Sequence, residues 1–225
     1  MSITAESVRE LREATGAGMM DCKKALNEVG GDFEKAVAWL RERGIAKAAK
    51  RSGKVAAEGS IASYIHMGGK IGVMAEINCE TDFVARGDDF QQLCRDVCLQ
   101  VCSASPQWVR REEVPADAIE KEKQVYVAQA KETGKPEAVC VKIAEGKLNK
   151  WFSEVCLLEQ PFVKDPDKTI TQLLGELSGK CGEKVEIRRF VRFQLGEGIE
   201  KEESNFAEEV AAELAKAAAK AEAQA

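Results

Sequence analysis

Ile61-Ala62-Ser63-Tyr64-Ile65-His66-Met67-Gly68-Gly69-Lys70-Ile71-Gly72-Val73-Met74-Ala75-Glu76-Ile77 decides the fold class. Ile61, Tyr64 and Ile65 on one side, and Ile71, Val73, Ala75 and Ile77 on the other, flank Gly68-Gly69, a β-hairpin signal. Strand character begins at Gly59. Past the second strand stands Thr81-Asp82-Phe83-Val84, and the pattern then turns helical from about Asp88 to Ser103. Two further helices, roughly 117–133 and 136–158, are broken by Gly134-Lys135-Pro136 and should pack antiparallel as a helical hairpin. Gln160-Pro161-Phe162-Val163 reads as a loop and 169–178 as a helix. Val185 to Phe193 alternates well enough to be a strand returning to the hairpin. Asn205 to about Lys220 reads as an Ala/Glu-rich helix that frays into a tail.

Upstream of the hairpin the period is helical throughout. Thr4 can cap a helix carrying Val8 and Leu11, ended by Gly16 and Gly18. A second helix runs from about Met20 to Val29 and stops at Gly30-Gly31. Asp32 caps a third, with Phe33, Val37 and Leu40 on one face, stopped by Gly44. The expected class is α+β. A three-helix module (1–44) and a partly helical Ala/Lys-rich linker (45–58) precede an α+β core (59–200) with its small antiparallel sheet. The C-terminal helix and tail take up 201–225.

Composition narrows the function. The 225 residues are 44% hydrophobic, 32% charged and 6% aromatic, ordinary for a folded protein whose core rests on aliphatic side chains. No run approaches the roughly 18 apolar residues of a membrane span, and the N-terminus has no signal-peptide pattern, so a cytoplasmic protein with no membrane contact is expected. The net charge of −5 provides no global drive toward nucleic acid. Residues 1–54 hold 11 Lys/Arg against 8 Asp/Glu, and residues 196–225 hold 3 against 8, which reads as two solvated faces.

Catalytic chemistry finds little support. His66 is the one histidine, read as lying in a strand, so no nucleophile-base arrangement extends beyond it. Gly175 to Cys181 resembles a phosphate loop but has one residue too few between its glycines, and cysteine where Ser or Thr must hold magnesium. The eight cysteines include no Cys-x-x-Cys pair. Cys94, Cys98 and Cys102 share one helical stripe with Phe90, Val97 and Val101 nearby, so core packing is expected there, and no cofactor. Two motifs remain. In Thr15-Gly16-Ala17-Gly18-Met19-Met20, either the adjacent methionines fold back as packing or at least one is an exposed apolar contact. In Asn78-Cys79-Glu80-Thr81-Asp82-Phe83-Val84-Ala85-Arg86, Thr81 or Asp82 alone would cap the next helix, with Phe83 as a hydrophobic staple.

Taken together, the run from Thr15 to Leu26, the element from Asn78 to Ala85, Glu159-Gln160-Pro161-Phe162-Val163 and Arg192 to Glu200 resemble the elongation factor Ts family over essentially the whole chain. The resemblance implies a guanine-nucleotide exchange factor for elongation factor Tu, the GTPase that delivers aminoacyl-tRNA. It also implies a ubiquitin-associated-like fold for the N-terminal module. Phe83 would be a wedge near the GTPase's magnesium site, with Asp82 its polar neighbour and Thr81 and Val84 shaping the tip. Arg12, Met19 and Met20 of the module, and His66 and Val163 of the core, would be further partner contacts. Longer members carry two related sheet subdomains and this chain has residues for one, so two copies are expected to pair as a homodimer. The rivals are a helical adaptor for some other partner and, more distantly, a metal- or thiol-dependent enzyme.

Overall fold

Glycines and small polar caps set the joints of the N-terminal helices. In the computed structural model, residues 3–51, 53–132, 134 and 136–199 are described, with the side chains of 45–50 excepted. Thr4 accepts the Ser7 backbone N–H at 3.2 Å and opens α1 (Ala5–Thr15), which ends at Gly16 in the left-handed region (φ 66°). Next comes α2 (Met19–Glu28), and Asp32 caps α3 (Phe33–Lys50) by accepting from Lys35 N at 3.1 Å. Val8, Leu11, Cys22, Ala25, Leu26 and Ala36 form the buried core of this three-helix unit.

Gly44 does not stop α3, contrary to the sequence reading; the helix runs on to Lys50, so the stretch expected as linker begins as helix. The run Ile45-Ala-Lys-Ala-Ala-Lys50 is made largely of strong helix formers. Gly44 also serves as a contact point. A Cβ placed on Gly179 would lie 2.7 Å from the Gly44 Cα, so two glycines allow α3 to touch α8 (Ile170–Cys181) backbone to backbone. Arg41 and Lys168 flank this crossing and pair with Glu176 at 2.9 and 3.1 Å. α8 also continues past its expected end at 178, through Gly179 to Cys181, and is capped by Gly182 in the left-handed region. The glycines of the rejected phosphate-loop stretch lie inside this helix.

The hairpin forms as expected. β1 (Glu58–Ile65) and β2 (Ile71–Cys79) pair antiparallel from Glu58↔Cys79 to Ile65↔Gly72, turning through Gly68 and Gly69 at φ 84° and 67°. His66 lies just beyond β1, in the turn and not in the strand, donating its backbone N–H to Ile71 O at 2.9 Å. The helix expected from about Asp88 is α5 (Asp88–Ala104), and a separate single turn, α4 (Asp82–Ala85), precedes it. β5 (Glu186–Gln194) returns to the far side of β2, giving the order β1-β2-β5.

One face of the sheet is buried against α5. Val73, Ala75 and Ile77 meet Phe90, Leu93, Val97, Val101 and the stripe Cys94-Cys98-Cys102, so the three cysteines are core residues. The other face carries Ile61, Ile65, Met74, Val191 and Phe193, all exposed. Ile187 and Phe190 both contact the core, so the alternation of β5 slips once between them.

The helical hairpin is α6 (Ala116–Lys131) and α7 (Glu137–Val155), with Lys147 donating to Gln129 at 2.8 Å. At its base Trp108 meets Trp151 edge-on at 5.9 Å, and Arg111 lies over the Phe152 ring while pairing with Glu159. Gln160 to Val163, expected as a loop, contains a short strand β3 (Pro161–Phe162) paired with β4 (Asp165–Thr169).

Among the described residues, those up to Phe193 make one unit, and Gln194 to Ile199 belong to a second, a run of turns with positive φ at Gly196 and Gly198. The C-terminal helix expected from Asn205 to about Lys220 lies outside the described residues, as does the tail. No helix among the described residues is long and apolar enough to cross a membrane.

Candidate partner-binding site

Phe83 stands at the apex of α4 with 83% of its surface exposed, which excludes the role of buried hydrophobic staple. Thr81 is extended (φ −131°, ψ 153°) and its Oγ1 accepts the Val84 N–H at 3.4 Å, so it caps this single turn and not α5. Asp82 points outward to Arg86 at 2.8 Å, an i,i+4 surface pair. Below the tip, Ala85 is buried and Val84 packs on the core. The element therefore presents an aromatic ring to solvent from a seated base.

That base is made by two carboxylates reaching in opposite directions. Glu183 accepts from Thr81 N at 3.0 Å, Glu80 N at 3.1 Å and Thr81 Oγ1 at 2.7 Å. Glu80 accepts in turn from Lys184 N at 2.6 Å and from Arg51, whose Nη1 lies 2.9 and 3.1 Å from its two oxygens. Neither glutamate stood out in the sequence. Thr81 and Glu183 are 102 positions apart, and no local pattern announces their meeting.

A groove runs beside the ring, lined by Leu177, Phe90, Lys180, Cys181 and, from the N-terminal unit, Gly16. Lys180 pairs with Asp89 at 2.7 Å and lies across Gly16, where a Cβ would collide with its Cε. The Thr15-Gly16-Ala17-Gly18 turn and the Phe83 turn thus border one groove. Met19 and Met20, which open α2 directly after that turn, are 41% and 76% exposed, and Arg12 is exposed on α1.

His66 and Val163 are not part of this cluster. His66 precedes β2 and Thr81 follows it, so the nine residues of β2 separate them by about 30 Å. The His66 ring is exposed, with Nδ1 3.1 Å from Tyr64 Oη. Val163 is half-exposed on the β3–β4 turn, its N–H donated to Gln100 Oε1 at 2.9 Å. Gln100 sits twelve residues along α5 from Asp88, the end of that helix nearest the tip.

Three buried thiols of the sheet core are chemically quiet. Burial pushes Cys79 and Cys98 up to about 11 and Cys94 up to about 12, so they stay protonated at neutral pH. Among the described residues no group of three or more His, Cys, Asp or Glu could hold a metal ion.

Two carboxylates are held below the usual Glu range. The Lys184 N–H and then Arg51 stabilise ionised Glu80; Arg188 and then Arg189, at 2.8 and 2.7 Å, stabilise ionised Glu76. A depressed pKa contributes stability above the unfolded value of about 4.3, and this is lost as pH falls through the lower folded value. Thermal unfolding followed from pH 6 to pH 3 should therefore fall more steeply for wild type than for Glu80→Gln, with the two curves converging at the acid end. Parallel curves would mean that Glu80 gains nothing from its partners.

A model of the family described as Elongation factor TS matches residues 4–197. The chain is 60% identical to Elongation factor Ts of Desulforamulus reducens over 212 residues, covering 94% of this chain and 98% of that protein. Identity and both coverages are the same for Elongation factor Ts of Geobacter sulfurreducens. Elongation factor Ts of Heliobacterium modesticaldum is 58% identical over 214 residues and is covered along its whole length. With the exposed aromatic turn, the double-methionine turn and the hairpin-bearing core all inside the matched span, the chain belongs to the elongation factor Ts family.

Proposed function

We propose that the chain is a cytoplasmic guanine-nucleotide exchange factor for elongation factor Tu, acting by binding and without catalytic groups of its own. The observation that carries this reading is Phe83, a large apolar ring held in solvent on a one-turn helix with a hydrogen-bonded base. The ring stands beside a groove lined by Phe90 and Leu177, so ring and groove together offer a partner an apolar contact surface. Thr81, Asp82, Phe83 and Val84 enter the GTPase, with Phe83 dislodging the magnesium that bridges nucleotide and protein. The GDP phosphates then lose their counter-charge and GDP leaves. Arg12, Met19 and Met20 provide a second contact from the N-terminal module (1–44), carried on the 45–58 connection.

The thermodynamics is linkage. A factor that prefers the nucleotide-free GTPase must weaken GDP by the same ratio, typically about 5- to 150-fold. No bond is made or broken and no nucleic acid is contacted directly. The test is the affinity of the chain for nucleotide-free and for GDP-bound elongation factor Tu, measured by calorimetry. Tighter binding to the empty form is expected; equal affinities would leave the adaptor reading in place.

The second contact set, His66 and Val163, lies far from Phe83, so one copy does not bring both to a single patch. We propose that two copies pair through the open sheet face bearing Ile61, Ile65, Met74 and Phe193. A pair can present the Phe83 of one copy and the His66 of the other to the same GTPase. Sedimentation at micromolar concentration should give a dimer; a fully active monomer rules the pairing out.

A further inference from the structure

We infer that Glu183 is the positioning residue that pre-orients Phe83 for entry into the partner. The inference rests on the exchange reading above and deepens it. A four-residue helix has little stability of its own, because ordering this turn gains only two backbone hydrogen bonds, Ala85 N to Thr81 O and Arg86 N to Asp82 O. The direction of the Phe83 ring must therefore be set from outside α4. Packing sets only part of it, since Thr81, Asp82 and Phe83 are all exposed and Ala85 alone is buried.

Glu183 provides the missing constraint. Its Oε2 receives two successive backbone N–H groups, of Glu80 and Thr81, which fixes the peptide plane entering the turn. Its Oε1 receives the Thr81 hydroxyl at 2.7 Å, and this turns the Oγ1 lone pair toward Val84 N. Glu183 thus holds both the entry to the helix and the rotamer of its cap. These are charge-assisted bonds, stronger than neutral ones.

The residue is itself held in place. Gly182 caps α8 in the left-handed conformation (φ 74°), and Ser178 Oγ donates to the Glu183 carbonyl. The neighbouring Lys184 N–H is taken by Glu80, so each segment's carboxylate bonds the other segment's backbone. A free loop would spend much of its time with the ring misdirected, and a displacement of about 1 Å costs up to roughly a hundredfold in rate.

The test is exchange kinetics of Glu183→Ala and Glu183→Gln on elongation factor Tu bound to labelled GDP, with amide hydrogen exchange at Thr81 and Val84. Glu183→Ala should lower the maximal release rate about tenfold and change KM less than about twofold, with both amides exchanging faster. Glu183→Gln should restore most of the rate: its Oε1 can accept both N–H groups while its Nε2 donates to a turned Thr81 hydroxyl. If the glutamine variant is as slow as the alanine variant, or if KM alone changes, the positioning role is wrong. If wild type itself fails to accelerate release, the exchange reading falls; amide protection still decides the positioning claim, and unchanged protection in Glu183→Ala overturns it.

Discussion

Phe83→Ala is expected to slow GDP release from elongation factor Tu by roughly thirtyfold or more while leaving the melting temperature within about 1 °C of wild type. Both halves follow from the position of the ring. An aromatic anchor that becomes fully desolvated in a partner typically contributes about 2 kcal/mol or more, and about 1.4 kcal/mol is a factor of ten in rate. In the free chain the ring is 83% exposed and adds little to the core, so truncation removes almost no intramolecular contact. Stopped-flow release of a fluorescent GDP and a thermal melt on the same preparation check both. A variant as fast as wild type would remove the wedge assignment. A variant that is slow only because it has unfolded would show in the melt.

The second large effect is on stability, at Gln100. This side chain is fully buried within α5, its Nε2 donating to Gln160 Oε1 and to Pro161 O at 3.1 Å each, and its Oε1 accepting Val163 N at 2.9 Å. One glutamine therefore holds the strand pair that carries Val163. Gln160, also buried, donates onward to Glu154 O at 2.6 Å, tying the same loop to the end of α7. Gln100→Leu is close in size but leaves the buried Gln160 Oε1 without its donor and takes the partners from Pro161 O and Val163 N–H, at about 1–3 kcal/mol for each group left unsatisfied away from water. A loss of about 3 kcal/mol lowers the melting temperature by roughly 6–12 °C in a chain of this size. A drop of less than about 2 °C would mean that the loop re-forms without the network.

What was legible in the sequence was local. Thr4 and Asp32 announced their helices because a cap bonds a backbone three residues away, and Gly68-Gly69 announced the hairpin because only a turn needs two successive positive φ values. Cys94, Cys98 and Cys102 were legible as core because Phe90, Val97 and Val101 share or border their helical stripe and no fourth ligand is spaced to close a metal site. Gly44 was misread for a physical reason. A glycine that ends a helix and a glycine that lets two helices touch look the same until the partner helix is known. The sequence left Thr81 or Asp82 open as cap of the next long helix; Thr81 instead caps a helix one turn long, and that shortness is what leaves Phe83 in solvent. Glu80, Glu183 and Gln100 were invisible because their partners lie between 29 and 104 positions away. The Lys180 stem over Gly16, which aligns the double-methionine turn with the Phe83 groove, belongs to the same class. His66 and Val163 were named from the resemblance alone, and their distance from Phe83 required the folded sheet to be seen.

The central claim is that this chain accelerates nucleotide release by binding, and one measurement addresses it without any variant. Elongation factor Tu loaded with fluorescent GDP is mixed with excess unlabelled GDP and increasing wild-type chain, and the dissociation rate is followed in time. The account predicts a rate that rises with chain concentration and saturates, and an acceleration that shrinks as free magnesium is raised. A dissociation rate equal to the intrinsic one at every chain concentration would contradict it.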